Sequence, residues 1–172
     1  TEQSQQLLSG IAELGILSVP PIHQNNFDVL FRRKEKIVCV TAEDSHFLKG
    51  IAAPTLEDLS DCPLCLSTGC HLMMSKIFAE KSIRPQILSI CTTRTTALRW
   101  AEDDCGVSIV PMEPREKLAD GLIAKAITGV NTDLYKTVVR VKGRPLSVVS
   151  KKFLQFYSDV RDSERMIKVK DL

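Results

Sequence analysis

Short apolar segments separated by regularly spaced breakers constrain this chain more than any other feature of it. They recur at residues 12–19, 27–32, 37–42, 63–66, 86–90, 107–110, 122–127 and 134–141, with helical periodicity between several of them. Strand-length apolar runs that alternate with helix-length amphipathic runs argue for an α/β protein. The breakers carry their own chemistry. Pro20-Pro21 and Pro111 end strands, since proline cannot continue a ladder, and Gly10 stops a helix over 4–9. Thr55-Leu56-Glu57-Asp58 has capping-box form and opens a short helix ending near Ser60.

Further along, a turn at Ser67-Thr68-Gly69 leads into a helix over 70–81. Met73, Met74, Ile77 and Phe78 form a stripe on that helix that reads as core packing. Thr92-Thr93 lead into a second helix bearing Ala97, Leu98, Trp100 and Ala101, which fails near Asp103-Asp104. A final helix over 148–160 is expected to turn Phe153, Phe156 and Tyr157 inward. This order predicts a mixed sheet wound with helices, with two strands at 27–42 crossing from one lobe to another. No internal repeat or low-complexity tract is present.

Composition narrows the function. With 172 residues, 44% apolar and 26% charged, the chain can bury a substantial core. A net charge of +2 is too even for a surface that holds nucleic acid by neutralising phosphates. Arg32-Arg33-Lys34 and Lys151-Lys152 sit beside acidic residues and read as solvated faces. No run approaches the roughly 18 apolar residues of a membrane span, and Thr1-Glu2-Gln3-Ser4-Gln5-Gln6 shows no signal pattern, so a soluble cytoplasmic protein is expected. Cysteines at 39, 62, 65, 70, 91 and 105 are then mostly buried thiols acting as small apolar residues. Cys62 and Cys65 have zinc-like spacing before Cys70-His71. However, no second close pair completes a ligand set, and positions three apart in a strand face opposite ways. No metal and no cofactor are expected.

Catalytic signals are poor. His23, His46 and His71 sit in no nucleophile elbow, zinc-protease motif or other catalytic context, and there is no phosphate loop or dinucleotide glycine pattern. An enzyme is not expected. What recurs is a hydroxyl-rich turn between a strand end and a helix start: Ser67-Thr68-Gly69 and Thr92-Thr93. Such turns place hydroxyls beside unpaired helix amides, suited to a small anion or carboxylate at the carboxyl ends of strands. Ordinary N-capping is the alternative reading of the same residues.

A joint pattern now resembles one family. Leu7-Leu8-Ser9-Gly10-Ile11-Ala12-Glu13-Leu14-Gly15-Ile16 resembles a stretch in the first lobe of LysR-type effector domains. Ile37-Val38-Cys39-Val40-Thr41-Ala42 with Asp44-Ser45-His46-Phe47-Leu48 resembles the crossover strand and its histidine loop. Leu56-Glu57-Asp58-Leu59 and Pro63-Leu64-Cys65-Leu66 match the helix and strand that follow, and Arg84-Pro85 the proline after the next helix. The run from Ala97 through Asp103-Asp104-Cys105-Gly106 to Val110-Pro111 is similar to the helix, glycine turn and strand signature of the second lobe. Phe153 and Phe156 fall where the closing helix belongs. Each element is a loose apolar pattern; the order and spacing, over essentially the whole chain, carry the resemblance.

The resemblance implies a two-lobed periplasmic-binding-protein-like (type 2) α/β fold with mixed sheets and crossover strands. Lobe I would comprise about 1–40 and 140–172, truncated at its N-terminus, and lobe II about 43–138. It implies the effector-sensing part of a bacterial transcription regulator, with a small-molecule effector in the cleft between lobes. Effector contacts fall by resemblance on Thr1, Ser4, Ser67, Thr68, Thr92 and Thr93. Dimers or tetramers, and promoter DNA bound through a winged helix-turn-helix that this chain lacks, are implied as partners. Two departures are visible: Asp104 stands where the family usually has glycine, and His46-Phe47 replaces histidine-proline. Asp104 is expected to keep the turn by adopting the left-handed conformation. Two alternatives remain. Cys70, at a helix start where its pKa should fall, would make a thiol redox sensor of the same family, with Cys91 or Cys105 as partners. A transport-type solute-binding protein would share the fold, but fits poorly with six cysteines and no export signal.

Overall fold

The computed structural model describes residues 2–17, 24–114 and 116–162. The chain divides into two compact units, 1–34 with 135–172, and 35–134.

The first unit holds α1 (Glu2–Ser9), β1 (Leu14–Leu17), a 3-10 turn (Gln24–Asn26), the first half of β2 (Phe27–Ala42), most of β7 (Asp133–Val141) and α5 (Val148–Asp162). β1 pairs antiparallel with β7, Leu14 opposite Arg140 and Leu17 opposite Thr137. Leu7, Leu17, Phe27 and Val139 form its buried cluster. Gly10 ends α1 at φ +83, where a side chain would be strained, and the Arg144 guanidinium takes up the freed carbonyls of Leu7 at 2.7 Å and Leu8 at 3.0 Å. Glu13 serves the start of α5, accepting from the Ser147 amide at 3.1 Å, the Ser147 hydroxyl at 2.8 Å and the Ser150 hydroxyl. These three bonds hold the Glu13 carboxyl below its usual pKa.

The second unit is a five-stranded mixed sheet in the order β6-β2-β5-β3-β4, built from β3 (Pro63–Ser67), β4 (Gln86–Cys91), β5 (Val107–Met112) and β6 (Leu122–Ala126) with the second half of β2. β2 runs antiparallel to β5 and β6, while β3 is parallel to both β4 and β5. Leu64, Leu66, Val107 and Ile109 pack on one face with Met74 and Phe78 of α3 (Thr68–Glu80), Leu56 and Leu59 of α2 (Leu56–Ser60), and Ile37. Val38, Val40, Cys91 and Val110 pack with Ala97 and Ala101 of α4 (Arg94–Glu102). Strands covered on both sides read as continuous apolar runs, as 63–66 and 107–110 do. The capping box at Thr55 is complete: its hydroxyl accepts from the Asp58 amide at 3.3 Å, and Asp58 accepts from the Thr55 amide at 2.8 Å.

Four expectations need correction. The segments 27–32 and 37–42 are one sixteen-residue strand. The charged run between them keeps the two-residue alternation, with Phe31, Glu35 and Ile37 buried and Arg32, Lys34 and Lys36 exposed, so the ladder continues. The Arg32 guanidinium lies 3.5 Å over the Tyr135 ring. Pro111 does not end its strand, since β5 reaches Met112; β3 pairs β5 only as far as Ile109, so no neighbour misses the proline's absent amide. The turn expected at 67–69 is shorter, because Ser67 ends β3 and α3 already begins at Thr68. On α5, Tyr157 meets Phe31 at 5.4 Å, but Phe156 is 69% exposed and Phe153 42%. At β1, the ladder spans Leu14–Leu17, and residues 18 and 19 of that expectation lie outside the described ones. Asp104 does adopt φ +47, and its carboxylate accepts from Ser45 Oγ at 2.5 Å and lies 3.1 Å from His46 Nδ1.

Candidate functional site

Parallel strands bring their carboxyl ends to one edge of the sheet, and here β3, β4 and β5 do so together. The register sets Ser67, the last residue of β3, beside Cys91, the last residue of β4. The two hydroxyl-rich turns are therefore neighbours. A side-chain bond ties them, as Thr68 Oγ1 donates to the Cys91 carbonyl at 2.9 Å.

The two helix starts differ. Thr93 is a working N-cap: its backbone is extended (φ −121, ψ 155) and its hydroxyl accepts from the Thr96 amide at 3.1 Å. Thr92 beside it is exposed. Ser67 occupies the N-cap position of α3 (φ −75, ψ 145) but makes no side-chain cap bond. Its buried hydroxyl instead lies 3.4 Å from Cys70 Sγ. The first-turn amides of α3 are left without that partner, and a Cβ built on Gly69 would meet no atom within 4 Å. Neither α3 nor α4 has an acidic residue in its first turn, whereas α2 has Glu57 and Asp58. Both positive helix ends are thus uncompensated by their own sequence.

Sequence reasoning missed Arg94 and Glu116. Arg94 is the first residue of α4, and its Nη1 donates to Glu116 Oε1, which lies in the segment leaving β5. The other Glu116 oxygen accepts from the Glu113 amide at 3.1 Å. The available signal was a cation at a helix start, where the dipole favours an acid. The remaining candidates lie elsewhere in the chain: Ser4 is buried on α1 of the first unit, and Thr1 falls outside the described residues. A groove of about 590 Å³ lies at the far end of α3, bounded by Phe78, Ile83, Arg84, Pro85 and Ile87, and does not coincide with the two turns.

Cys70 corrects a chemical expectation. Its thiol is fully buried and lies 3.1 Å from the Ile109 carbonyl, and burial raises its pKa despite the helix start. Desolvation of the thiolate outweighs the dipole. Cys39 and Cys65 are likewise pushed up by burial, to about 12 and about 11. Cys105 is exposed.

Comparison with known proteins agrees with this architecture. No curated protein matches the chain. Among solved structures, the chain is similar to the effector binding domain of QuiR in complex with shikimate, with a TM-score of 0.76 and 23% identity over 94% of this chain and 77% of that one. It is similar also to the Synechocystis PCC6803 CcmR regulatory domain in complex with 2-PG, with a TM-score of 0.78 and 17% identity over 95% and 80%. Against full-length CbnR complexed with target DNA the TM-score is 0.71, with 20% identity over 94% of this chain and 56% of that one. At these identities the likeness establishes the fold, a mixed α/β fold of the periplasmic-binding-protein type. A family model, LysR substrate binding domain, matches residues 1–162. With that match over nearly its whole length, the chain belongs to the LysR substrate binding domain family.

Proposed function

We propose that this chain is the small-molecule-sensing regulatory domain of a LysR-type DNA-binding transcription regulator and has no catalytic role. Its effector is a carboxylate or other small anion, engaged by Ser67, Thr68, Thr92 and Thr93, with Thr1 and Ser4 as further contacts by family resemblance. The observation that carries this reading is the 2.9 Å bond from Thr68 to the Cys91 carbonyl, which joins two helix starts that lack acidic residues. An anion there would meet first-turn amides, hydroxyls and the positive ends of two helices. The similar solved domains were bound to shikimate and to 2-PG, which supports a small molecule as the class of ligand.

The regulator would work in the cytoplasm as a dimer or tetramer and reach promoter DNA through a domain outside this chain. Among the described residues, no helix is long and apolar enough to cross a membrane. The test is thermal unfolding of the reduced protein against small carboxylates, inorganic anions and sugars. A ligand at about 100 times its dissociation constant adds roughly 2.7 kcal/mol, a rise of about 5–10 °C at this size. One selective rise, abolished by Thr68→Val, is the expected result. A silent panel, with a melting point that moves on peroxide treatment and not in Cys70→Ser, would replace this reading with the thiol sensor.

A further inference from the structure

Arg94 is poorly explained by helix stability. A cation at the first position of a helix opposes the dipole. Within the first turns of α3 and α4, Thr68 to His71 and Arg94 to Ala97, it is the one permanently charged side chain. Its guanidinium is not left to wander. Nη1 is held by Glu116, which is itself held by the Glu113 amide at 3.1 Å. The Arg94 Nε is buried and has no hydrogen-bond partner among the described residues, yet 30% of the side chain still reaches solvent. The guanidinium is therefore anchored through Nη1, while part of the side chain stays open to solvent. Its position is also specific, directly after Thr92-Thr93 on the strand-end edge that carries Ser67 and Thr68.

We propose that Arg94, held in position by Glu116, selects an effector bearing a carboxylate over its uncharged counterpart. This deepens, and rests on, the effector role assigned above to the 67–68 and 92–93 turns. A planar guanidinium receives a carboxylate through two parallel N–H···O bonds, and a bond to an ionised partner is stronger than one to a neutral one. An ester or amide offers no such charge, and in its presence the Arg94 fork loses that partner. Glu116 acts through Arg94: it fixes the guanidinium and does not itself meet the ligand.

The experiment is calorimetric titration of the reduced protein with shikimate, benzoate and the methyl ester of each. For the acid that binds, the wild type should hold its ester about ten- to one-hundred-fold more weakly, as expected for one charge-assisted bond. Arg94→Gln should bring the acid down to the ester's affinity, and Arg94→Lys should keep part of the preference, because it keeps the charge without the fork. Glu116→Gln, nearly isosteric and still able to accept from the Glu113 amide, should narrow the acid-to-ester ratio without abolishing it, because Arg94 keeps its charge but loses its ionic anchor. Far-UV circular dichroism confirms folding of each variant. If Arg94 and Glu116 only brace α4 against the segment after β5, both glutamine variants will melt lower with the acid-to-ester ratio unchanged. That result overturns the assignment, and so does a wild type that binds acid and ester equally, which leaves the effector role itself standing. Binding of none of the four probes, with no response to the wider anion panel, overturns the effector role and this assignment with it.

Discussion

Gly106→Ala probes the tightest contact in the second unit. A Cβ on Gly106 would lie 2.6 Å from the Pro63 carbonyl oxygen and 3.4 Å from the Pro63 carbonyl carbon and Cγ. Neither backbone can yield easily, because Val107 is paired with Leu64 in the parallel ladder between β5 and β3. Forcing a methylene into such a site costs about 1–3 kcal/mol. Replacing glycine also removes freedom from the unfolded chain, which offsets about 0.4–1 kcal/mol of that. The net expectation is a loss of about 1–2 kcal/mol, or a fall in melting temperature of about 2–8 °C at this size. Gly69→Ala is the matched control: it is also helical or extended rather than left-handed, but its Cβ meets nothing within 4 Å, so it should be neutral or slightly stabilising. The assay is urea unfolding followed by fluorescence of Trp100, the single tryptophan, which packs against the cluster on α4's side of the same sheet. The midpoint should fall in Gly106→Ala with the slope unchanged. A Gly106→Ala midpoint equal to or above that of Gly69→Ala would refute the close-approach argument.

In native thiol titration, Cys105 should react rapidly and Cys39, Cys65 and Cys70 only after unfolding, since burial raises all three; fast labelling of Cys70 would contradict this. Glu13 and Asp58 have pKa values lowered in the folded state from ordinary values of 4.5 and 3.8. Their contribution is therefore complete above those ordinary values and lost as pH falls through the lowered ones. Urea midpoints measured from pH 7 downward should decline there, and should decline less steeply in Glu13→Gln and Asp58→Asn. Phe78→Ala, which empties a fully buried position on α3, should cost about 3–5 kcal/mol by the same unfolding assay; a loss below 1 kcal/mol would show that the cluster on that face can collapse around the gap.

Much of this protein was decided by local chemistry and was therefore legible in its residues. The Thr55–Asp58 box spans one helical turn, Gly10 and Asp104 mark left-handed positions, and Met74 and Phe78 follow helical spacing, so each could be read from near neighbours. The order of elements, which carries the family resemblance, follows from the same short-range signals. Tertiary structure alone decided what depends on residues distant in sequence. Pairing with β5 and β6 carries β2 onward from a charged run that composition reads as a break, and the limit of β3 lets Pro111 stay in its strand. Packing determines that Tyr157 faces inward and Phe156 outward. Burial in the core reverses the pKa expected of Cys70 from its helix position. The site shows the division most clearly. Both hydroxyl turns were visible in sequence, but the bond between Thr68 and Cys91 spans 23 positions and the Arg94–Glu116 pair 22. Those partners meet only because parallel strands end side by side, and that alignment comes from sheet register, which no local pattern specifies.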